Sequence, residues 1–439
     1  YLHQMTGELL EQLYKTADVE LISAAAELAY HFEAAQTLPK AVHYRQLAGE
    51  HALRLSAHAE AINHYHRGLV LLSSLPETPD RIRQEIDCQL ALGAALLAVH
   101  GYAAPQVKEV YDRAFFLCGR VAAVAETVTS LFWLTSYYAV SGDLAQAALV
   151  SQQMLAIADQ ESISAMHQMQ AHVLAGLPLF FMGCNEEALA HFRQARSLYD
   201  PARHQPLVYT FGQDPGIGAM IWQGHVLLHM GCVAEARGCL HQALDWAAML
   251  DHPYTAAFTH LLAGGTPNVW YVWDLETALG HMQTAVQLAQ KGNFAQMRAL
   301  GTFYLGYMKV ASCLPQQDAI TEESVAEGLA MMQQGMALEA EVGSKLGLSS
   351  RWLLLADVHR QCGQIEQAWP ALQQAEMEAY GRQELYFEAE ILRLKGELYV
   401  LAGDVAQAKA SWQKAIHSAR QQKAKTWERR AEASLQQLG

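Results

Sequence analysis

A recurring pair of small residues constrains this chain more than any other feature. Six times a small residue is followed five positions later by alanine at the start of an apolar helical run: Ser56 and Ala61, Gly142 and Ala147, Gly183 and Ala188, Gly231 and Ala236, Gly363 and Ala368, and Gly403 and Ala408. A seventh pair, Trp273 and Ala278, keeps the spacing with a large first residue. Neighbouring alanines mostly lie about 40 residues apart. Self-similarity at such a period predicts stacked helical units instead of one globular core.

The composition favours an all-α protein. Hydrophobic residues make up 51% and charged residues 17% of the 439 positions, which is too apolar for a disordered chain. Ala, Leu, Gln and Glu dominate the periodic segments, and all four are good helix formers. We therefore predict an all-α solenoid of helical hairpins.

Charge, hydropathy and cysteine usage indicate where the protein is located and which classes of partner it does not bind. The formal net charge of −14 opposes binding to a phosphate backbone, and the basic stretch Arg420–Arg430 is typical of a solvated helix face. No apolar run reaches the length of a membrane span without polar interruption. The seven cysteines are odd in number and form no CxxC pair, as in reduced cytosolic proteins. We expect a cytoplasmic protein without nucleic-acid or membrane partners.

Motifs that would indicate catalysis are absent from the sequence. There is no phosphate-binding G-x-x-x-x-G-K-[ST] loop, no G-x-S-x-G and no H-E-x-x-H. The tightest histidine group is His58, His64 and His66, but two helical residues that are two positions apart point in different directions. We therefore predict a non-enzymatic chain with no catalytic residues, no cofactor and no metal site.

Alignment of the hairpins on their second-helix alanine shows a finer pattern. The final hairpin is the cleanest and carries Leu392, Gly396, Tyr399, Gly403, Ala408, Trp412 and Ala415. This pattern resembles the tetratricopeptide repeat over most of residues 20–438, although the terminal proline is mostly missing and the period is about 40 instead of 34. The resemblance implies a right-handed α-solenoid whose first helices line a concave face.

The hairpin pattern divides the chain into four segments. Residues 1–19 are expected to be the tail of an upstream helical region, because Tyr1–Lys15 is already amphipathic and no capping residue precedes it. Irregular hairpins follow over 20–120, a regular tetratricopeptide-like array over 121–423, and a C-terminal capping helix over 424–439.

The candidate binding residues lie where the array is irregular. Asp200–Gly216 is a long loop with three prolines, which is either a rigid turn or part of a binding site. Asn268–Asp274 places two tryptophans and a tyrosine in four consecutive positions, which cannot all face one neighbouring helix. Other aromatic residues on first helices belong either to the hairpin core or to the concave face. The predicted ligand or partner site comprises Trp133, Tyr137, Gln213, Asp214, Trp222, His260, Trp270, Arg298, Tyr304 and Arg351.

The order of several segments resembles a more specific class. These segments are Glu27–Phe32, Lys40–Val42, Ala48–Ala52, Glu60–Ile62, Gly101–Pro105, Tyr209–Gly216 and Leu392–Leu398. Together they are similar to the C-terminal repeat region of bacterial STAND-type signalling ATPases, including cyclase- or kinase-linked and maltose-regulon-activator-like proteins. The ATPase motifs themselves are absent, so no catalytic residue is carried over.

The resemblance implies a sensor array in a larger signalling protein. Such an array would bind a protein, peptide or small molecule in its concave groove, control an upstream ATPase domain in cis, and allow homo-oligomerisation on activation. The alternative is a structural scaffold that homo-oligomerises.

Overall fold

A computed structural model describes residues 1–16, 21–55, 57–158, 164–204, 208, 213–272, 274–313 and 322–437, and over these ranges the chain is helical without any strand. The residues form two compact units, Tyr1–Tyr137 and Tyr138–Gly439, called unit 1 and unit 2. Unit 1 contains α1 (Leu2–Thr16), a 3₁₀ turn (Leu21–Ala24), α2 (Ala25–Ala34), α3 (Leu38–Arg54), α4 (His58–Ser73), α5 (Pro79–His100), α6 (Pro105–Val121) and most of α7 (Val124–Ser141).

Unit 2 continues with the regular array. Its helices are α8 (Leu144–Ala158), α9 (Ala165–Phe181), α10 (Asn185–Leu198), the short α11 (Pro201–His204), α12 (Pro215–His229), α13 (Val233–Met249), α14 (Pro253–Thr259), α15 (Leu275–Lys291), α16 (Ala295–Ala311), α17 (Glu322–Glu341), α18 (Leu348–Gln361), α19 (Ile365–Arg382), α20 (Glu388–Leu401), α21 (Val405–Gln421) and α22 (Lys425–Gln436). Helices that are neighbours in sequence pack on each other as hairpins, for example α9 on α10 and α20 on α21. The predicted all-α class and hairpin repeat are confirmed.

The small residues of the repeat mark turns and close helix contacts. Gly403 ends the first helix of the last hairpin with a φ of +80°, a conformation that glycine adopts without strain. At Gly396 an added Cβ would lie 2.3 Å from Nε1 of Trp412, so no larger side chain fits between α20 and α21. The spacing of the small residues therefore sets how closely the two helices of a hairpin pack.

The fourth regular hairpin differs from its predicted form. The sequence pattern predicts a first helix over Tyr254–Leu262, whereas α14 continues into two π-helical segments, His260–Gly265 and Asn268–Val272. Pro267 lies between these segments and has no N–H to donate to the preceding turn. Gly264 allows close packing on α15, since a Cβ there would lie 2.3 Å from the ring of His281.

Several features named from the sequence lie outside the described residues. They are Ser56 and Trp273 of the marker pairs, positions 205–207 and 209–212 of the predicted loop, and positions 314–321 of the insertion that begins at Cys313. Among the helices that the structure does describe, none is both long and apolar enough to cross a membrane.

Candidate functional site

Three helix ends in the first half of unit 2 contact two loops and the first turn of α22 in its second half. Each contact is a hydrogen bond to a carbonyl in the last turn of a first helix: the Lys345 amide donates to Val140 at 2.7 Å, the Tyr386 amide donates to Phe181 at 3.0 Å, and the Thr426 hydroxyl donates to Leu228. Carbonyls in the last turn of a helix lack the usual intrahelical partner, and these donors supply one to Val140 and Phe181 and add to the Gly231 amide at Leu228. We call this set of contacts the closing interface.

Aromatic side chains fill the space behind the closing interface. Trp427 of α22 is fully buried, and its indole N–H donates a hydrogen bond to Nδ1 of His229 at 3.1 Å. The His229 ring also stacks on Tyr386 with 5.9 Å between ring centroids and 12° between planes. Trp270 packs on Phe387 with ring centroids 4.2 Å apart. Unit 2 thus occupies this part of its interior with its own side chains.

Burial keeps the interior histidines neutral. It lowers the pKa of His225 to about 4, although the hydrogen bond from Nε2 of His225 to the Leu262 carbonyl, 2.8 Å long, acts in the opposite direction. Burial also holds the pKa of His229 well below its ordinary value, with a further contribution from His225. Because Nδ1 of His229 accepts from Trp427, its proton lies on Nε2, which has no hydrogen-bond partner among the described residues.

A buried ionic group lies at the start of α18. Arg351 is 5% exposed and pairs with Glu339, with 2.8 Å between Nε and Oε2. Glu384 accepts hydrogen bonds from the Gly347 amide at 2.7 Å and the Ser349 amide at 3.1 Å. Burial raises the pKa of Glu384 to about 7, against the opposing effect of these donors and of Arg351. This group fixes the α19–α20 loop on the N-terminus of α18.

Four of the ten predicted site residues are buried inside unit 2 with partners of their own, and three of them are Trp270, Tyr304 and Arg351. Trp270 is 7% exposed and its indole N–H donates to the Tyr304 hydroxyl at 3.4 Å. Tyr304 is buried as well, and Arg351 belongs to the ionic group described above. The structure therefore brings Trp270 and Tyr304 together and engages all three residues in contacts within the protein.

Asp214 is fully buried at the N-terminus of α12. Its carboxylate accepts a hydrogen bond from the Ile217 amide at 2.9 Å and another from the Tyr199 hydroxyl at 2.7 Å. The Asp214 amide donates to the Thr255 hydroxyl at 3.3 Å. Asp214 is thus a helix cap that joins three repeats. The preceding Gln213 is half-buried.

Three further predicted residues of unit 2 are half-buried. Trp222 packs edge-on against Phe181 with ring centroids 5.7 Å apart. Nδ1 of His260 lies 2.8 Å from Nδ1 of His281, and burial lowers the pKa of His260. Arg298 is half-buried on α16.

The two remaining predicted residues, Trp133 and Tyr137, belong to unit 1. Trp133 is buried and stacks on Tyr111 with ring centroids 5.7 Å apart. Tyr137 is half-buried on α7.

An open groove of about 1090 Å³ lies between α19 and α21, and residues of α20 also line it. Met377 and Tyr380 line the α19 wall, Leu392 and Lys395 come from α20, and Lys414 lines the α21 wall. Met377 is 67% exposed and Tyr380 is 50% exposed, although both are large and mainly apolar. The groove thus presents apolar surface to solvent.

Met377 differs in character from most residues at its repeat position. Met377 lies nine positions after the marker alanine Ala368, where four other second helices of unit 2 carry Ser197, Asp245, Gln287 or His417 and α8 carries the small Ala156. Sequence reasoning missed this groove because it searched first helices for binding residues. Comparison of outward-facing positions between repeats would have found it.

Neither metal nor disulfide chemistry emerges from the described residues. No three His, Cys, Asp or Glu side chains in the described ranges are arranged to hold a metal ion. All seven cysteines lie within these ranges and are free thiols, and burial raises the pKa of Cys88 to about 12.

Comparison with known proteins identifies the class of fold. A Rap protein complexed with competence and sporulation factor is similar over 88% of this chain and 99% of its own, with a TM-score of 0.57 and 14% identity. The Rap conjugation gene regulator of plasmid pLS20 in complex with the Phr* peptide matches 71% of this chain and 76% of its own, with a TM-score of 0.51 and 14% identity. Aspartyl phosphate phosphatase F from Bacillus subtilis matches 81% of this chain and 93% of its own, with a TM-score of 0.50 and 13% identity.

These similarities define the protein as a tetratricopeptide-like helical repeat, in agreement with the pattern of its hairpins. At such low identity they establish the fold alone. No protein-family profile and no curated protein matches the sequence.

Proposed function

We propose that this chain is a protein-interaction repeat domain that binds a peptide or protein segment in the groove between α19 and α21. The observation that carries the proposal is the exposed pair Met377 and Tyr380, of which Met377 lies where four other repeats have polar residues. Exposed apolar patches with a polar rim are typical of interaction sites. Flexible Met and rigid Tyr are also side chains that binding surfaces use often. Two of the similar solved structures, each bound to a peptide or a sporulation factor, lend the proposal general support.

The predicted concave residues have a second role in this proposal. Because Trp270, Tyr304 and Arg351 are already engaged inside unit 2, a ligand would reach them only by displacing the closing interface. Trp222, His260 and Arg298 are half-buried, so a ligand that enters the interior would reach them before Trp270, Tyr304 and Arg351. We propose that this interior responds to binding and that the groove makes the first contact.

The wider biological context is a proposal that rests on sequence resemblance. In it, the chain is the sensor array of a cytoplasmic bacterial signalling ATPase and controls that ATPase in cis. A full-length reading frame with a phosphate-binding loop ahead of the array would support this context, and a frame without one would overturn it.

Peptide selection tests the proposed function directly. A phage-displayed library of random peptides is selected against the whole chain, and enriched peptides are measured by fluorescence anisotropy. We expect Tyr380→Ser to weaken binding about tenfold or more, since exposed aromatic anchors carry much of the binding energy. Leu401→Ser is the matched control, because Leu401 is 56% exposed on α20 outside the groove. Equal affinity for all three proteins would contradict the assignment of the groove.

A further inference from the structure

We infer that the closing interface is an acid-sensitive latch, in which protonation of His229 releases the α19–α20 loop and α22 from the end of α12. This inference goes beyond the proposed function and does not depend on the groove between α19 and α21. Three observations carry it: the origin of the side chains that enclose His229, the hydrogen bond at its Nδ1 atom, and the pairing of the charged groups around it.

The side chains that enclose His229 come from both sides of the closing interface. Phe180, from the first half of unit 2, contacts the imidazole ring edge-on with 5.0 Å between centroids. Three residues of the second half complete the enclosure: Tyr386, Phe387 and Trp427 have ring centroids 5.9, 5.5 and 5.3 Å from that of His229. His229 is fully buried. Separation of the two halves at the closing interface would remove these three neighbours and admit water to the ring.

A second proton on His229 is incompatible with the closed contact. Nδ1 of His229 accepts a hydrogen bond from the indole N–H of Trp427 at 3.1 Å. A protonated Nδ1 is a donor and would face another donor. Nε2 already carries a proton and has no hydrogen-bond partner among the described residues. The imidazolium would therefore lose one hydrogen bond and gain none for as long as the interface stays closed, which makes its burial costly.

The nearest charged groups do not compensate a positive ring. Apart from burial, the group that acts on the pKa of His229 is His225, one turn earlier on α12, and it lowers this pKa further. Arg430 of α22 lies over the Trp427 ring at 5.0 Å and is paired with Glu390 of α20. Among the described residues, no carboxylate acts on the pKa of His229.

Other charged groups on the surrounding elements have partners of their own or add positive charge. Arg429 of α22 lies beside Gly231 at the end of α12 and adds a positive charge. Glu384 of the α19–α20 loop is bonded to amides of the second half, so opening of the interface leaves those bonds intact. The remaining pairs are Glu428 with Lys425 and Arg420, Glu388 with Ser418, Arg193 of α10 with Glu235 of α13, and His260 with His281.

The direction of the pH effect follows from the protonation of His229 in the two states. In the closed state, burial holds the pKa of His229 well below its ordinary value. In the open state the ring is in water, where the pKa of a histidine is about 6.5. The open state therefore binds the proton more readily, and acid favours opening. The closed interface keeps its full stability above about pH 6.5 and loses it as the pH falls towards the lower pKa of the closed state.

Hydrogen exchange followed by mass spectrometry measures the opening in the whole chain. Exchange is compared at pH 7.5 and pH 5.5, and each rate is divided by the intrinsic rate at the same pH. The reporters are the Lys345 and Tyr386 amides, which donate to carbonyls across the closing interface. Peptides from the first turns of α19, a helix without histidine, are the reference for effects of pH on the whole chain.

Three variants assign the sensor. His229→Asn keeps a side-chain oxygen that can accept from Trp427, and His229→Phe keeps an aromatic ring, but neither variant titrates at this position. His225→Asn is the matched control, because His225 is also buried on α12 and is bonded to Leu262 of the first half.

We expect the corrected exchange of both reporters to rise about tenfold from pH 7.5 to pH 5.5, the increase calculated for one histidine that titrates at about pH 6.5 only in the open state. His225→Asn should keep this rise. Both His229 variants should open more readily than the wild-type protein at pH 7.5, because the contact with Trp427 is changed, and should then show equal corrected exchange at the two pH values.

Four outcomes would overturn the inference. If the wild-type reporters show no rise at pH 5.5, there is no latch, whatever the variants do. If the α19 reference rises as much as the reporters, acid unfolds the whole repeat array instead of opening one interface. If both His229 variants keep the rise, another group is the sensor. If His225→Asn abolishes the rise, the sensor is not His229 alone.

Discussion

Replacement of Trp427 by alanine tests whether the closing interface holds unit 2 together. Trp427 is fully buried, and its ring contacts Phe387 and Tyr271 with centroids 5.1 Å away in each case. Deletion of a buried tryptophan ring costs about 3–5 kcal/mol through lost burial and the cavity left behind. Nδ1 of His229 also loses its donor in a fully buried place, which costs about 1–3 kcal/mol more.

The expected loss of about 4–8 kcal/mol is comparable with the whole stability of a typical domain. Repeat arrays unfold in parts, so one denaturation midpoint would not describe the effect. Hydrogen exchange followed by mass spectrometry reports each segment separately. We expect faster exchange in α22 and also in residues 222–229, 268–272 and 384–387, which lie far from α22 in sequence.

Two further variants divide the expected loss into its parts. Trp427→Phe keeps most of the apolar packing and removes only the N–H donor to His229, so we expect a loss of about 1–3 kcal/mol. Trp369→Ala is the matched control, because Trp369 is half-buried on α19 and contacts Tyr399 of the next helix, α20, outside the closing interface. If Trp427→Ala changes exchange only within α22, or costs no more than Trp369→Ala, the closing interface does not hold the two halves of unit 2 together.

Three other predictions address the cap, the hairpin contacts and the ion pairs of unit 1. Asp214→Ala should destabilise unit 2 by about 2–4 kcal/mol, because it removes the α12 cap and the acceptor of the Tyr199 hydrogen bond. Asp214→Asn should cost less. Urea denaturation compares the two variants, and equal losses of stability would contradict the role of the charge. Gly396→Ala should lower stability by about 1–3 kcal/mol, because the added Cβ clashes with Trp412. Gly280→Ala should raise stability by about 0.5–1 kcal/mol, because an added Cβ there meets nothing within 4 Å and alanine favours the helix. Thermal denaturation checks that the two variants change stability in opposite directions. Although burial acts to raise it, hydrogen bonds from Arg67 and Arg45 hold the pKa of Glu33 below 4.5, so this stabilisation is present above pH 4.5 and is lost as the pH falls through the lower folded pKa. Glu33→Gln should therefore flatten the acid side of the stability profile, and an unchanged profile would refute the assignment.

Much of the local structure could be predicted from the sequence. The helices Leu275–Lys291 and Val405–Gln421 begin and end where the periodicity predicts. The residues that cap them, Asp274, Gly292 and Asp404, act on the adjacent turn and can therefore be recognised from local sequence. The first helix of the fourth regular hairpin could not be predicted so well. In its π-helical continuation, the Leu262 carbonyl accepts a hydrogen bond from His225 and the Trp270 carbonyl accepts one from Arg430. Both donors are distant in sequence, so the local pattern does not predict this continuation.

The candidate site was less accessible to sequence reasoning. Helix order predicts a concave-face position for Trp222, and the crowding of aromatic residues in Asn268–Asp274 predicts one for Trp270. Periodicity says which face of a helix is apolar but not what covers it. The structure covers Trp270 with Phe387 from a hairpin more than two repeats later. The predicted binding role of these residues stays a prediction.

By itself, the sequence determined the all-α class, the hairpin repeat and the close packing within each hairpin. These follow from short-range chemistry: a small residue at the turn, an alanine five positions on, and a large side chain that fills the gap. Only the tertiary structure decided that Val140, Phe181 and Leu228 meet Lys345, Tyr386 and Thr426, which lie in two loops and the first turn of α22. That contact depends on small rotations summed over many repeats, and no single repeat encodes their sum.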